Sequence, residues 1–103
     1  MRLDRLLWFL RFARTRGAAQ RWIAEGHIRR NGERVTRQDQ AVAVGDVLTL
    51  PLSAKVLPIE IIALPRRRGP PAEARACYRP LDGAAAIAVA GAETAPEEGA
   101  AQP

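Results

Sequence analysis

An Asn-Gly pair at residues 31 and 32 constrains this chain more than any other feature. Both central positions of a type I′ turn need positive φ, which Asn and Gly tolerate, so the pair predicts a two-residue β-hairpin joining "HIRR" to "ERV". The hydrophobic period changes just ahead of it. Before Gly26 the apolar residues recur at helical spacing, and after it they alternate. Gly26 itself sits where a left-handed residue ends a helix. The chain is therefore helical first and extended afterwards, and arginines crowd the arms of the hairpin at the junction.

In "RLDRLLWFLRFAR" Leu3, Leu6, Leu7 and Leu10 form one stripe, widened by Phe9 and Ala13. Asp4 and Arg11 share a narrow polar edge, while Arg5, Trp8 and Phe12 lie on the far side. A helix this apolar, expected to run to Arg14, is covered on two sides. Thr15 is placed as the N-cap of a second helix, "RGAAQRWIAE", whose Ala19, Trp22 and Ile23 share one face and Arg16 and Gln20 another. Past the hairpin, "AVAV", a turn at Gly45-Asp46, "VLTL" and "VLPIEIIAL" read as further short strands, with Pro51 and Pro58 marking interruptions or edges. "PRRRGPP" reads as a linker, and Pro70 or Pro71 can open a short last helix, "PAEARACY". The expected fold is α+β: two N-terminal helices packed on a small, twisted, mostly antiparallel sheet, then a short helix and a tail.

With 103 residues, 48% of them apolar, the chain is long enough for one small core. Its net charge of +5 is unevenly spread. Residues 1–37 carry ten arginines against three acids, residues 65–79 carry five against one, and residues 80–103 carry four acids and no base. Three stretches follow: a folded domain at 1–64, a basic linker and short helix at 65–80, and an acidic Ala/Pro-rich tail at 81–103 expected to be disordered. A cationic first third favours a polyanionic partner. The basic residues are arginines except for Lys55, which suits bidentate phosphate contact and equally reflects a compositional bias towards Arg and Ala. One cysteine, Cys77, excludes an internal disulfide, and with one histidine, His27, it cannot build a zinc site. The apolar runs Leu6–Leu10 and Ala84–Ala92 are too short for a signal segment or a membrane span. The expectation is a cytoplasmic protein without metal or cofactor.

The element order brings a tight corner at Thr15-Arg16 next to the hairpin. Arg14, Arg16, Gln20, Arg29, Arg30 and Asn31 are placed to converge there, beside the free N–H groups that open the second helix. Strand alternation sends Arg29 and Arg30 to opposite faces, so at most one points straight into the surface and the other must rim it. Each feature has a plainer reading. Charged helix edges are commonly just solvated, Asn31 meets the needs of a turn, and Asp4 in a first helical turn suits the helix dipole and can hold a neighbouring arginine. Trp8, Phe12 and Trp22 are core residues or platforms for unpaired bases. Arg66, Arg67 and Arg68 are a solvated linker or extra phosphate contacts. The carboxylates are scattered, no nucleophile–base pair is placed, and Gly26, Gly32 and Gly45 sit at separate turns, so no enzyme is expected.

Together these residues resemble the S-four-type RNA-binding domain. The shared pattern is R-L-D at the start, T-R at the corner, A-x-x-x-I in the second helix, and G-x-[IV]-x-x-N-G-x-x-V before the Gly-Asp turn, over about residues 2–50. The "LW" of helix one and "RRRGPPAEARACY" extend the likeness to about residue 80, towards the stand-alone ribosome-associated heat-shock proteins of that family. The resemblance implies that two helices and a hairpin, the alpha-L motif, form an RNA-binding surface. Carried onto this chain, the implied contacts are Arg5, Arg14, Thr15, Arg16, Gln20, Arg29, Arg30 and Asn31, with Arg2, Arg66, Arg67 and Arg68 as possible additions. The implied partner is structured RNA, ribosomal RNA or a ribosomal subunit in a stress role, bound by a monomer, with neither DNA nor membrane expected. Two other classes stay open: a protein-interaction module, and the RNA-recognition subunit of an enzyme acting in trans.

Overall fold

The leucine stripe makes the first helix, but a shorter one than its apolar length predicts. In a computed structural model that describes residues 1–52 and 55–81, α1 spans Leu3–Phe9 and ends at Leu10, not at Arg14. The stop is a Schellman turn. The Arg11 N–H donates to the Trp8 carbonyl at 3.1 Å and the Phe12 N–H to the Leu7 carbonyl at 3.0 Å, with Arg11 at φ +68°. A left-handed arginine costs about 1–3 kcal/mol. Its side chain is held by a distant segment: Arg11 Nε donates to the Gly69 carbonyl at 2.6 Å, and Arg68 Nε donates back to the Trp8 carbonyl at 3.0 Å.

Helix α2 (Arg16–Ala24) begins and ends as its sequence predicts. Thr15 Oγ1 accepts the Ala18 N–H at 3.0 Å, and Gly26 at φ +82° donates its N–H to the Ile23 carbonyl. Strands β1 (Ile28–Arg30) and β2 (Glu33–Val35) follow, joined by Asn31 at φ +52° and Gly32 at φ +86°, the type I′ pair. β3 (Val47–Leu52), β4 (Lys55–Ile61) and β5 (Tyr78–Pro80) complete an antiparallel sheet of order β2-β1-β3-β4-β5. The short helix α3 (Pro71–Arg75) precedes β5.

Two sequence expectations change here. "AVAV" is not a strand: Ala41 makes a single bridge to Arg2, and the Val42 N–H bonds the Met1 carbonyl, so the segment edges the N-terminus instead. "PAEARACY" is not one helix either. It divides into α3 and the start of β5, because Ile61 offers Tyr78 a sheet edge. The tail expected over 81–103 lies, beyond Leu81, outside the described residues.

Register puts Val35, Ile28, Leu48, Leu50, Ile59 and Ile61 on one face of the sheet. That face forms a single core with Leu3, Leu6, Leu7, Leu10, Ala19 and Ile23 of the two helices. One charge enters it: Asp4 is 0 % exposed. Its Oδ1 accepts Arg2 Nε at 3.0 Å and the Arg5 N–H at 2.8 Å, and its Oδ2 accepts Arg2 Nη2 and Gln20 Nε2, each at 3.0 Å. Asp46 plays a matching part at the hairpin tip, accepting Arg30 Nε at 2.8 Å, the Ala43 N–H at 2.9 Å and Asn31 Nδ2 at 3.2 Å. Asn31 Oδ1 in turn accepts the Val47 N–H at 2.9 Å. Burial alone would raise both carboxyls. The bonds from Arg2, Gln20 and the Arg5 N–H outweigh it at Asp4, and those from the Ala43 N–H, Arg30 and Asn31 do so at Asp46, holding both below the ordinary value.

Two predictions follow from these tip and core bonds. Asn31→Ala strands the buried Val47 N–H and should lower stability by about 1–3 kcal/mol in urea denaturation; Asn31→Gly, which keeps the positive φ, should recover only the backbone part. The depressed Asp4 and Asp46 stabilise the fold fully above their ordinary value of 3.8 and lose that contribution as pH falls through the lower folded values. The thermal midpoint should therefore hold from neutrality down to about pH 5 and fall below about pH 4, less steeply in Asp46→Asn.

Candidate nucleic-acid interface

The corner between α1 and α2 and the helix it opens hold Arg14, Thr15, Arg16 and Gln20 of the predicted contacts. Thr15 spends its side chain on the Ala18 N–H, so its role is to shape the corner. The N–H groups of Arg16 and Gly17 find no acceptor among the described residues and form the positive end of α2. Arg14 is exposed in the turn just ahead of them, and Arg5 is exposed on α1. Neither has a carboxylate partner among the described residues.

Arg16 and Gln20, one helical turn apart, both face Asp4. Gln20 donates to it directly, while Arg16 Nε stands 3.7 Å from Oδ2 in an ion pair too long for a hydrogen bond. That Nε is buried and has no acceptor, yet the Arg16 side chain is 38 % exposed, so the rest of its guanidinium group is the part available to a ligand. Arg2 completes the cluster with a two-pronged bond to Asp4, which raises the Arg2 pKa further. Two arginines thus share one carboxylate, and the cluster keeps a net positive charge.

The hairpin divides its arginines as alternation predicts. Arg30 lies on the same face as Ile28 and is paired with Asp46; Arg29 lies on the opposite face, directly across from Arg34, and donates Nη1 to the Gly32 carbonyl at 3.2 Å. Both polar ends of the Asn31 amide are engaged within the fold. The linker arginines have three separate fates. Arg66 is exposed, Arg67 pairs with Glu73 at 3.0 Å on the surface, and Arg68 is bound to the end of α1.

Arg21, which the sequence alone did not single out, lies beside this corner. Its Nη1 would lie 3.6 Å from a Cβ placed on Gly17, so it folds back over the first turn of α2. The signal was the four-residue spacing between Gly17 and Arg21, which puts them on one helical face.

The aromatic side chains are half-buried. Phe12 and Trp22 pack against the core, Phe12 with its ring 5.1 Å from that of Tyr78, while Trp8 lies against Phe9 at 5.5 Å. Cys77 is buried beside α3, and burial pushes its thiol up, away from reactivity. No group of three or more potential ligands is placed to hold a metal among the described residues, and no helix there is long and apolar enough to cross a membrane.

Comparison with known proteins gives this arrangement a family. The S4 domain matches residues 1–48, the span of both helices, the hairpin and the start of β3. The small ribosomal subunit protein uS4 of Methylobacterium nodulans is 37% identical over 62 residues, covering 60% of this chain and 30% of that protein. The heat shock protein 15 homologue of Haemophilus influenzae is 39% identical over 80 residues, 77% of this chain and 60% of its own length. The chain thus spans under a third of the ribosomal relative and three-fifths of the heat shock relative. The trimeric structure of Vibrio cholerae heat shock protein 15 superposes with a TM-score of 0.74 at 31% identity, covering 79% of this chain and 81% of that one. The likeness therefore runs through α3 and β5 as well as the S4 portion, and the chain belongs to the S4-domain family, within the group of heat shock protein 15.

Proposed function

We propose that this chain is a non-catalytic RNA-binding protein that docks on structured RNA, ribosomal RNA above all, in a ribosome-associated role within the stress response. The observation that carries the reading is the basic corner itself. Arg14 and Arg16 flank the start of α2, whose first N–H groups find no acceptor among the described residues, in the portion of the chain that matches the S4 domain. The names of its relatives, a ribosomal protein and a heat shock protein, support ribosomal RNA as the target class and a cytoplasmic setting.

Docking begins with the field of the cationic first third drawing the protein to the phosphate backbone. Arg5, Arg14, Arg16 and Arg21 then contact phosphates, with Arg2 at the edge of the patch, and the N–H groups of Arg16 and Gly17 add directional donors. Gln20 fixes orientation. Arg29 and Arg30, each already bonded at the hairpin tip, rim the surface with Asn31, and Arg66 and the surface pair of Arg67 extend it. Shape governs recognition more than base sequence, because the deep groove of an RNA duplex is closed to side chains. A monomer is part of this proposal; light scattering on the purified chain tests it.

Two measurements test the reading. The chain should co-sediment with ribosomes from a lysate and be released by nuclease; retention after complete RNA digestion would favour a protein partner instead. Arg14→Ala and Arg16→Ala should each weaken binding to deproteinised ribosomal RNA and flatten the dependence of log affinity on log salt by about 0.7–0.9 per lost phosphate contact. An unchanged slope removes that residue from the list of phosphate ligands.

A further inference from the structure

Asp4 is a puzzle if the surface exists only to attract phosphate. A carboxylate subtracts positive charge from the patch, and a fully buried one carries a desolvation cost that an apolar residue of similar size would avoid. Leu3, Leu6 and Leu7, beside it in α1, are core residues. A carboxylate that served α1 alone could draw all its donors from the N-terminal turn of that helix. Asp4 instead takes donors from three places: Arg2 ahead of the helix, the Arg5 N–H within it, and Gln20 from α2, with Arg16 of α2 at 3.7 Å. Both α2 residues are ones that the proposed function assigns to RNA.

We infer that Asp4 is a positioning residue for RNA binding: its buried carboxylate holds Gln20 and Arg16 of α2 in place before the ligand arrives. This rests on the RNA-binding reading and deepens it. Long side chains lose rotamer freedom when they bind, and a contact fixed beforehand spares the complex that loss. The geometry fits such a clamp. Gln20 is gripped through Nε2, which leaves its amide oxygen uncommitted among the described residues. Arg16 is held at its buried Nε end by charge attraction across 3.7 Å, not by a hydrogen bond, which leaves the outer guanidinium nitrogens for phosphate. The long Arg16 contact follows from crowding, since Oδ2 already accepts Arg2 and Gln20.

The sign of one substitution separates positioning from plain charge. Asp4→Asn keeps the size and removes a negative charge beside the patch. If Asp4 is only a counter-charge, the variant binds RNA more tightly and with a steeper salt dependence. If it positions, the variant binds deproteinised ribosomal RNA about tenfold more weakly despite its higher net charge, with a shallower slope. The same substitution in an Arg16→Ala/Gln20→Ala background should then change affinity by less than about twofold, because the residues it acts through are gone. Equal losses in both backgrounds mean general destabilisation and overturn the proposal, as does tighter or unchanged binding by Asp4→Asn. A wild-type chain that leaves the RNA unbound overturns the RNA reading and this proposal with it. Side-chain NMR relaxation on the wild-type protein needs no variant to fold: the Arg16 Nε–H and Gln20 amide should already be rigid without RNA, and free rotamer averaging there would sink the idea.

Discussion

The Asp4 carboxylate is where the two helices of this small fold agree on their relative position. Among the described residues it is the one acid buried in the apolar core, and its bonds come from Arg2 ahead of α1, the Arg5 N–H within α1 and Gln20 of α2. A buried charge tolerates little displacement, because losing a donor leaves the remainder unsolvated. The α1–α2 crossing, with the corner it frames, therefore inherits its definition from an interaction that hydrophobic packing alone would leave loose. Asp46 repeats the device at the hairpin tip, which it ties to the turn before β3. Each carboxylate thus fixes its own arginines, Arg2 and Arg16 at Asp4 and Arg30 at Asp46.

Such an arrangement has a cost in charge. Arg2, Arg16 and Arg30 are in ion pairs, so the potential of the face is lower than a count of arginines implies. Arg5 and Arg14 are exposed and have no carboxylate partner among the described residues. The face thus divides labour: paired arginines are held in fixed positions, and unpaired ones supply attraction. Ion pairs exposed to solvent, such as Arg37–Asp39 and Arg67–Glu73, contribute little to either.

Much of this was legible in the residues because the deciding interactions were local. Thr15, Gly26 and Asn31-Gly32 each meet a conformational need within a few residues, and each marks its boundary correctly. The errors occur where the cause is distant. A left-handed Arg11 has no local signature; it is sustained by Gly69, fifty-eight residues on. The alternation in "AVAV" suited a strand, but the segment it pairs with among the described residues is the N-terminus, through a single bridge. β5 was hidden by the helix that precedes it and by Pro80, and needed the edge of β4 to exist. The convergence at Asp4 needed the helix crossing: the sequence suggested that an arginine would be held there, not that Gln20 and Arg16 would meet it too. Arg11 with Gly69, and Arg68 with Trp8, also make a two-way clasp, so the segment named a linker on composition is fastened to the end of α1.

The strands at the two ends of the sheet are three residues each. β2 exposes Glu33 and Arg34, and β5 exposes Arg79, which is paired with Glu60, and Pro80, which has no N–H to donate. An incoming extended segment finds few open amides and a charge at either border. Short, charged, proline-bearing margins of this kind discourage edge-to-edge polymerisation, and they let a chain built around the apolar β3 remain a five-stranded unit instead of growing into a continuous ribbon.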